Sequence, residues 1–320
     1  MKLFSMGRLP SWIPYRFREQ WDVMRVASAL RSLKASRSRV IPTADESDAE
    51  LHMLICKRDV WPAMLAIKSL LQFSGLRLSL TLTDEGTLST GDRQLFSDHF
   101  PGCRWLNRRE EDVRSKLRSD HLQHLLRIYE SDFSLSAKLL HPTLLSKHSR
   151  VIVLDPDTAF FERPDQLCDW VEESSVSLYT RDNNDSRDRD LPREIRHAFD
   201  EIGREALADP WRIEHYYFNS GFLAFEAAQC DLRIAETYLR WTAEKGQGID
   251  CPNADIWFGH WTGEQASYLV MYAAMDPQPE SFGPMYRLGS LGGVFTHFMR
   301  ANLVKSSVLS TLSELCDDIE

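Results

Sequence analysis

The chain has 320 residues, 43% apolar and 27% charged, with a formal charge of −9. That length supports one large α/β domain or two packed ones. No apolar run approaches the roughly 18 residues that span a bilayer, so a membrane-spanning helix is not expected.

Charge is uneven. Residues 1–40 hold nine Lys/Arg against Glu19 and Asp22, or +7, which leaves −16 on the remaining 280. An acidic body argues against nucleic acid as the main partner. The basic arm also carries Phe4, Trp12, Tyr15, Phe17 and Trp21. That mixture suits peripheral contact with an anionic membrane, or an arm that packs on the body. Arg8, Pro10, Pro14 and Arg16 interrupt any signal-peptide core, so a cytoplasmic location is expected. The cysteines at 56, 103, 168, 230, 251 and 316 form no C-x-x-C pair and no zinc spacing. They read as reduced thiols.

A boundary is expected near ESDAE, 46–50. It separates an arm with a helix, 1–48, from a core at 49–305 and a C-terminal helix at 306–320. LHMLIC, 51–56, reads as a strand. Asp59 is placed to cap a helix running to Ser74, and Gly75 sits where that helix stops. LRLSLTLT, 76–83, has the period of a strand and ends at Asp84-Glu85-Gly86. This is a β-α-β unit, which predicts a parallel sheet. Helices follow at about 93–100, 110–129 and 135–147. VIVL, 151–154, is a short β-branched run that suits a central strand covered on both faces.

A strand is expected at 176–180. RDNNDSRDRD, 181–190, lacks any hydrophobe and reads as an exposed loop. YYFNSGFLAFE, 216–226, is strand-like around Gly221. Helices are expected near 231–244 and 263–275, then a strand in GVFTHFMR, 293–300, and a final helix.

Asp155 and Asp157 follow VIVL directly. Open α/β sheets bind ligands beyond the carboxyl ends of their strands. In extended chain, residues i and i+2 face the same side. Two carboxylates facing one point repel unless a cation lies between them. Hard oxygen ligands suit Mg²⁺ or Mn²⁺, which also hold phosphates. The bland reading is a solvated turn, since Asp and Pro are both common there.

Several pieces in chain order then resemble a known family. KLLHPTLLSKHSRVIVLDPDTAFFERPDQL, 138–167, is similar to the GT-A glycosyltransferases, especially the family 8-like and nucleotide-diphospho-sugar transferase groups. FNSGFLAF and the late His297 fit the same order, and the resemblance runs over about 51–305. It implies an α/β, GT-A-type mixed but mainly parallel sheet flanked by helices. It implies transfer of a sugar from a nucleotide-diphosphate sugar, with UDP as the commonest donor base and a retaining outcome. The acceptor class, glycan, lipid or protein, stays open.

The resemblance also assigns roles. Asp155, Asp157 and His297 would hold Mn²⁺ or Mg²⁺. Lys138, Asn219, Ser220 and Gly221 would line the donor, with Asp84 at the end of the earlier strand, and Glu264 and Gln265 would contact the sugar or the acceptor. An inverting outcome would instead need a carboxylate base, for which Asp255 and Glu264 are the candidates. This chain has Glu264-Gln265 where the family commonly has D-Q, and Pro156 between the aspartates. Each residue also has a plainer reading: a core histidine at 297, a solvated Lys138, a turn at Asn219, a bulge at Gly221. The aromatic group Trp257, His260 and Trp261 fits an acceptor sugar or a core. Two other functions compete. A haloacid-dehalogenase-type phosphatase also has D-x-D after a strand, but Ala159 and the preceding β-α-β unit fit it badly. The other is a non-catalytic sugar-nucleotide-binding protein on the same fold.

Overall fold

The alternating leucines at 78–82 lie in β2 (Leu78–Asp84), which pairs in parallel with β1 (Ala49–Ile55) along its whole length. Between them runs α2 (Val60–Ser74), and Gly75 ends it in the left-handed region at φ 67°. Asp59 does not cap this helix: its side chain makes no capping bond and instead accepts from the Cys56 thiol at 2.8 Å. The computed structural model describes residues 8–173, 175–181, 193–209, 218–248 and 263–319. Phe4, the loop 182–190, Tyr216, Tyr217, Cys251, Asp255, Trp257, His260 and Trp261 lie outside the described residues.

Three more strands complete the parallel side and its first neighbours: β3 (Arg104–Asn107), β4 (Arg150–Leu154) and β7 (Phe218–Glu226). With β6 (Leu178–Arg181) and β8 (Glu280–Ser281), the described residues form a seven-stranded sheet, ordered β3-β2-β1-β4-β7-β6-β8. β7 runs antiparallel to both neighbours, and the other pairings are parallel. The order reverses between β1 and β4, which marks the switch point where such sheets bind ligands. A smaller sheet holds β5 (Thr158–Phe160), β10 (Phe295–His297) and β9 (Tyr286–Leu288).

VIVL is covered on both faces. Ile152 and Leu154 join one apolar core, Val151 and Val153 the other. Burying each such side chain contributes about 1.5–3 kcal/mol. The first core is closed by α2, α3 (Thr90–His99), α7 (Asp165–Glu173) and α12 (Ser306–Asp318). The second is closed by α4 (Glu111–Ser119), α5 (Gln123–Glu130), α6 (Leu135–Leu145), α8 (Arg193–Ala206), α9 (Leu232–Glu244) and α10 (Gly263–Ala273). A short α11 (Met299–Leu303) precedes α12.

The single helix expected over 110–129 is two. His121 sits at φ 58° between α4 and α5. Glu236, on α9, then accepts from the His124 and Leu125 amides at 2.9–3.0 Å. A distant carboxylate thus satisfies amides at the start of α5, which no local pattern signals. The helix α8 was not among the expected elements, although Ile195, Ala198, Phe199, Ile202 and Ala206 carry its buried stripe.

The arm packs on the body. Its helix α1 (Tyr15–Ala29) buries Val26 and Ala29 in the first core. Arg25 is fully buried and donates to Val304 O at 2.8 Å and Ser306 Oγ at 2.7 Å. Among the described residues, no helix is long and apolar enough to cross a membrane.

Beneath α6, Glu50 of β1 ties the sheet to the turn before β4. It accepts from Thr81 Oγ1 at 2.6 Å, Arg104 Nη2 at 2.7 Å, and the Lys147 and His148 amides at 2.6 and 3.1 Å. Burial alone would raise its pKa, but His52, Thr81 and the Lys147 amide hold it well below the ordinary 4.5. A depressed carboxyl stabilises the fold fully above its unfolded pKa, and that stability is lost as pH falls below it. Glu50→Ala should therefore lower the unfolding free energy by about 3 kcal/mol in urea titration at pH 7. Glu50→Gln should also flatten the loss of wild-type stability below pH 4.5. A loss under about 1 kcal/mol would mean that the network contributes little.

Candidate metal centre

The site is a corner between the two sheets. β4 ends at Leu154, and β5 begins at Thr158 in the smaller sheet. The Asp155 amide still donates to Gly221 O of β7 at 2.7 Å, so pairing stops only at Pro156. Thr158 Oγ1 donates to Asp155 O at 2.8 Å, and the Phe298 amide donates to Asp157 O at 2.9 Å. Both carboxylates are thereby fixed at the carboxyl end of β4.

His297 arrives through the smaller sheet, where it sits opposite Thr158 in the antiparallel register of β10 and β5. Its Nε2 lies 3.2 Å from Asp157 Oδ1 and 3.8 Å from Asp155 Oδ2. Potential ligand atoms of the three residues lie within 4.8 Å of one another. The other ring nitrogen, Nδ1, is 3.2 Å from Asn219 Oδ1. A proton on Nδ1 donated to that oxygen leaves Nε2 as the lone-pair donor facing the carboxylates. Asn219 Oδ1 also accepts from the Gly221 amide at 2.8 Å.

Gly221 has a packing reason. A Cβ there would lie 2.4 Å from His297 Cε1 and Nδ1, too close for any side chain. The glycine lets the imidazole lie against β7. Two hard oxygens and one imidazole nitrogen, oriented from behind, fit a divalent cation such as Mn²⁺ or Mg²⁺.

Lys138, on α6, reaches the same corner from the other side. Its Nζ lies 2.7 Å from Asp155 Oδ1, 3.3 Å from Glu264 Oε1 and 3.3 Å from Ser220 Oγ. Ser220 donates to Glu264 Oε2 at 3.1 Å, and its amide donates to Gln265 Oε1 at 3.3 Å. Lys138, Asn219, Ser220, Glu264 and His297 are all buried.

Protonation follows from these contacts. Burial disfavours the Lys138 ammonium, but Asp155 and Glu264 override it and hold its pKa above the ordinary value. Burial likewise opposes charge on His297 and Asp157. Their mutual attraction prevails, so the histidine pKa is raised and the aspartate pKa lowered. Glu264 goes the other way: burial raises its pKa despite Lys138, which lies nearer Asp155. The repulsion expected between two bare carboxylates is therefore offset. Asp155 faces the Lys138 ammonium, and Asp157 an imidazole whose pKa that contact raises.

Asp84 stands outside this corner. It is buried at the end of β2, where its carboxylate accepts from the Gly86 amide at 2.7 Å, the Leu88 amide at 3.3 Å and Arg93 Nε at 2.9 Å. These bonds shape the turn after β2. A cavity of about 940 Å³ opens beside that turn, lined by the residues after β1 and β2 and by one face of α1. Sequence reasoning passed over Cys56-Lys57-Arg58 in its wall; their place directly after the first strand was the available signal.

No protein-family model and no curated protein matches the chain. Solved structures do. The galactosyltransferase LgtC, in complex with donor and acceptor sugar analogs, matches at 12% identity and TM-score 0.51, over 83% of this chain and 95% of that one. Mouse xyloside xylosyltransferase 1, in its apo form, matches at 14% and 0.49, over 79% and 98%. Core-mannan synthase A from Aspergillus fumigatus, in a Mn/GDP form, matches at 9% and 0.48, over 78% and 77%. At such identities the likeness to LgtC speaks for architecture alone. That likeness, the mainly parallel seven-stranded sheet and the smaller sheet that closes the aspartate corner together give this chain the GT-A fold.

Proposed function

We propose that the chain is a metal-dependent glycosyltransferase that moves a sugar from a nucleotide-diphosphate sugar, with UDP as the nucleotide, to a glycan, lipid or protein acceptor. The observation that carries this reading is the Asp155, Asp157 and His297 group at the carboxyl end of β4, beside the switch point. A phosphatase is not favoured by the GT-A fold. In this reading residues 49–305 carry the transferase, and 1–48 and 306–320 brace it.

Asp155, Asp157 and His297 would hold Mn²⁺ or Mg²⁺, which neutralises charge developing on the departing diphosphate. Lys138 adds a fixed positive charge beside the same position. Asn219 would orient His297, and Gly221 would admit it. Ser220 and Gln265 would face the donor sugar. An inverting reaction needs a carboxylate base free to take the acceptor proton. Glu264 is buried and held by Lys138 and Ser220, which supports a retaining outcome. Asp255 keeps its proposed catalytic role without a described position.

Thermal shift with a panel of nucleoside diphosphates, in EDTA and in Mn²⁺, tests the reading. Wild type should be stabilised by one of them only with the metal. Asp157→Asn should lose that response and cut turnover about a hundredfold, or roughly 3 kcal/mol of transition-state stabilisation. Its metal-free stability should fall, because His297 loses its partner. A wild-type chain with no metal-dependent response would defeat the proposal.

Metal binding should also depend on pH. The raised pKa of His297 means that the metal-free site keeps a proton that the cation must displace. Mn²⁺ affinity should therefore rise with pH through and above the ordinary imidazole value of 6.5. Calorimetry in buffers of different ionisation enthalpy should detect the released proton, and His297→Asn should remove it. Affinity independent of pH in wild type would exclude His297 as a ligand.

The arm supports a peripheral, cytoplasmic membrane contact within the same reading. Trp12, Tyr15 and Phe17 are 79%, 64% and 47% exposed. Arg16 and Arg18 lie over the Phe17 and Tyr15 rings, at 4.8 and 5.9 Å. Deleting the arm would remove core residues, so the test is a triple change of Trp12, Tyr15 and Phe17 to Ser. It should abolish sedimentation with phosphatidylserine vesicles while leaving the melting temperature in place. Equal sedimentation of both proteins would refute the contact.

A further inference from the structure

The cavity beside α1 gives the arm another role. Its volume, about 940 Å³, lies in the range of small-molecule sites. One side is the sheet end, with Lys57 after β1 and Thr87 after β2. Leu135, at the start of α6, also lines it, and the opposite wall is Gln20, Val23 and Met24 of α1. These three share one helix face.

The sheet order says what such a cavity would receive. Leu135 lies one helical turn before Lys138, whose Nζ is 2.7 Å from Asp155. The cavity and the candidate metal centre therefore meet at the first turn of α6. The centre lies over β4, and Ser220, Glu264 and Gln265 lie on the β7 and α10 side. In the order β2-β1-β4-β7, a nucleotide sugar with its diphosphate over β4 and its sugar towards β7 leaves its nucleoside over β1 and β2. That is where the cavity opens. We propose that α1 is the outer wall of the nucleoside subsite, and that Gln20 and Met24 help select the base. This rests on the nucleotide-sugar reading above.

The chemistry of the wall suits the task. A glutamine amide offers both a donor and an acceptor to a base edge. A thioether and aliphatic side chains pack on a ring face. The wall is also fixed. Arg25 anchors α1 to Val304 and Ser306 on its far side, and Glu19 meets Arg58 at 3.5 Å on the cavity side. Gln20 and Met24 are therefore presented by a helix whose position the core determines.

The test compares Gln20→Ala and Met24→Ala with wild type, both at exposed helix positions. Calorimetry in Mn²⁺ would give dissociation constants for UDP, GDP, CDP, ADP and inorganic pyrophosphate. Wild type should bind one nucleoside diphosphate more tightly than the others and than pyrophosphate. Each variant should weaken that nucleotide about two- to tenfold, the size of one neutral contact. The spread among bases should shrink, with pyrophosphate unchanged. Variants that match wild type for every base overturn the inference, as do variants that lose pyrophosphate equally. If wild type binds pyrophosphate but no nucleoside diphosphate better, the inference fails while the metal centre stands. Binding of none of them defeats both readings.

Discussion

A buried ammonium organises the centre of this molecule. Lys138 is 6% exposed and stands between Asp155, Glu264 and Ser220. An unpaired ammonium there would be untenable, because desolvating a charge costs several kcal/mol even after relaxation. Two carboxylates offset that cost, and they come from different elements: the end of β4 and the start of α10. The same contact joins α6 to the central strand and to α10, which packs beside α6 on the second core. Loss of the lysine would leave Asp155 and Glu264 facing one another without their cation. The architecture around the corner therefore depends on a charge that no single element could bury alone.

Charge balance among the chain's own side chains holds the corner together. Two aspartates separated by one residue look like a repelling pair. In the folded chain each is given a different positive neighbour, Lys138 for Asp155 and His297 for Asp157. The two neighbours differ in kind. An ammonium with a raised pKa keeps its proton through the neutral range. The imidazole of His297 starts from a much lower ordinary pKa, which Asp157 raises, and it is the partner able to exchange its proton. One partner is thus permanent and the other exchangeable. Asn219 and Gly221 serve the exchangeable one, the first by facing its distal nitrogen and the second by leaving room for its ring. Asn219 and Gly221 of the N-S-G run read as a seat for the His297 ring.

The N-terminal region shows how composition and packing can point in different directions. Its surplus of positive charge and exposed aromatics describes a surface. Yet Arg25 is among the most buried charged groups in the chain, held by backbone and hydroxyl oxygens from the other terminus. One helix therefore has two faces with distinct roles, a buried one against the C-terminal helix and one lining a cavity at the sheet end, while its first turn leaves aromatic and basic groups exposed. A linear count of residues cannot separate faces that lie 100° apart around the same helix.

Periodicity and punctuation carried the sequence reading far. The leucine alternation in β2, the apolar run of β4, Gly75 and the order of strands and helices are local properties, and local sterics and burial decide them. The pairing of Asp155 with Asp157 at a strand end was equally local, and the resemblance added Lys138 and His297 by chain order. What the sequence could not contain was distance. Residues 138, 155, 220, 264 and 297 meet only because β7 runs antiparallel beside β4, α10 packs on the same core, and β10 pairs with β5. The break between α4 and α5 came from Glu236 on α9, more than a hundred residues away. Asp84, expected to line the donor, has a carboxylate that accepts from the Gly86 and Leu88 amides and from Arg93, partners that its place at a strand end did not signal. Each outcome turned on which partner lay within hydrogen-bonding reach, and only tertiary packing determines that.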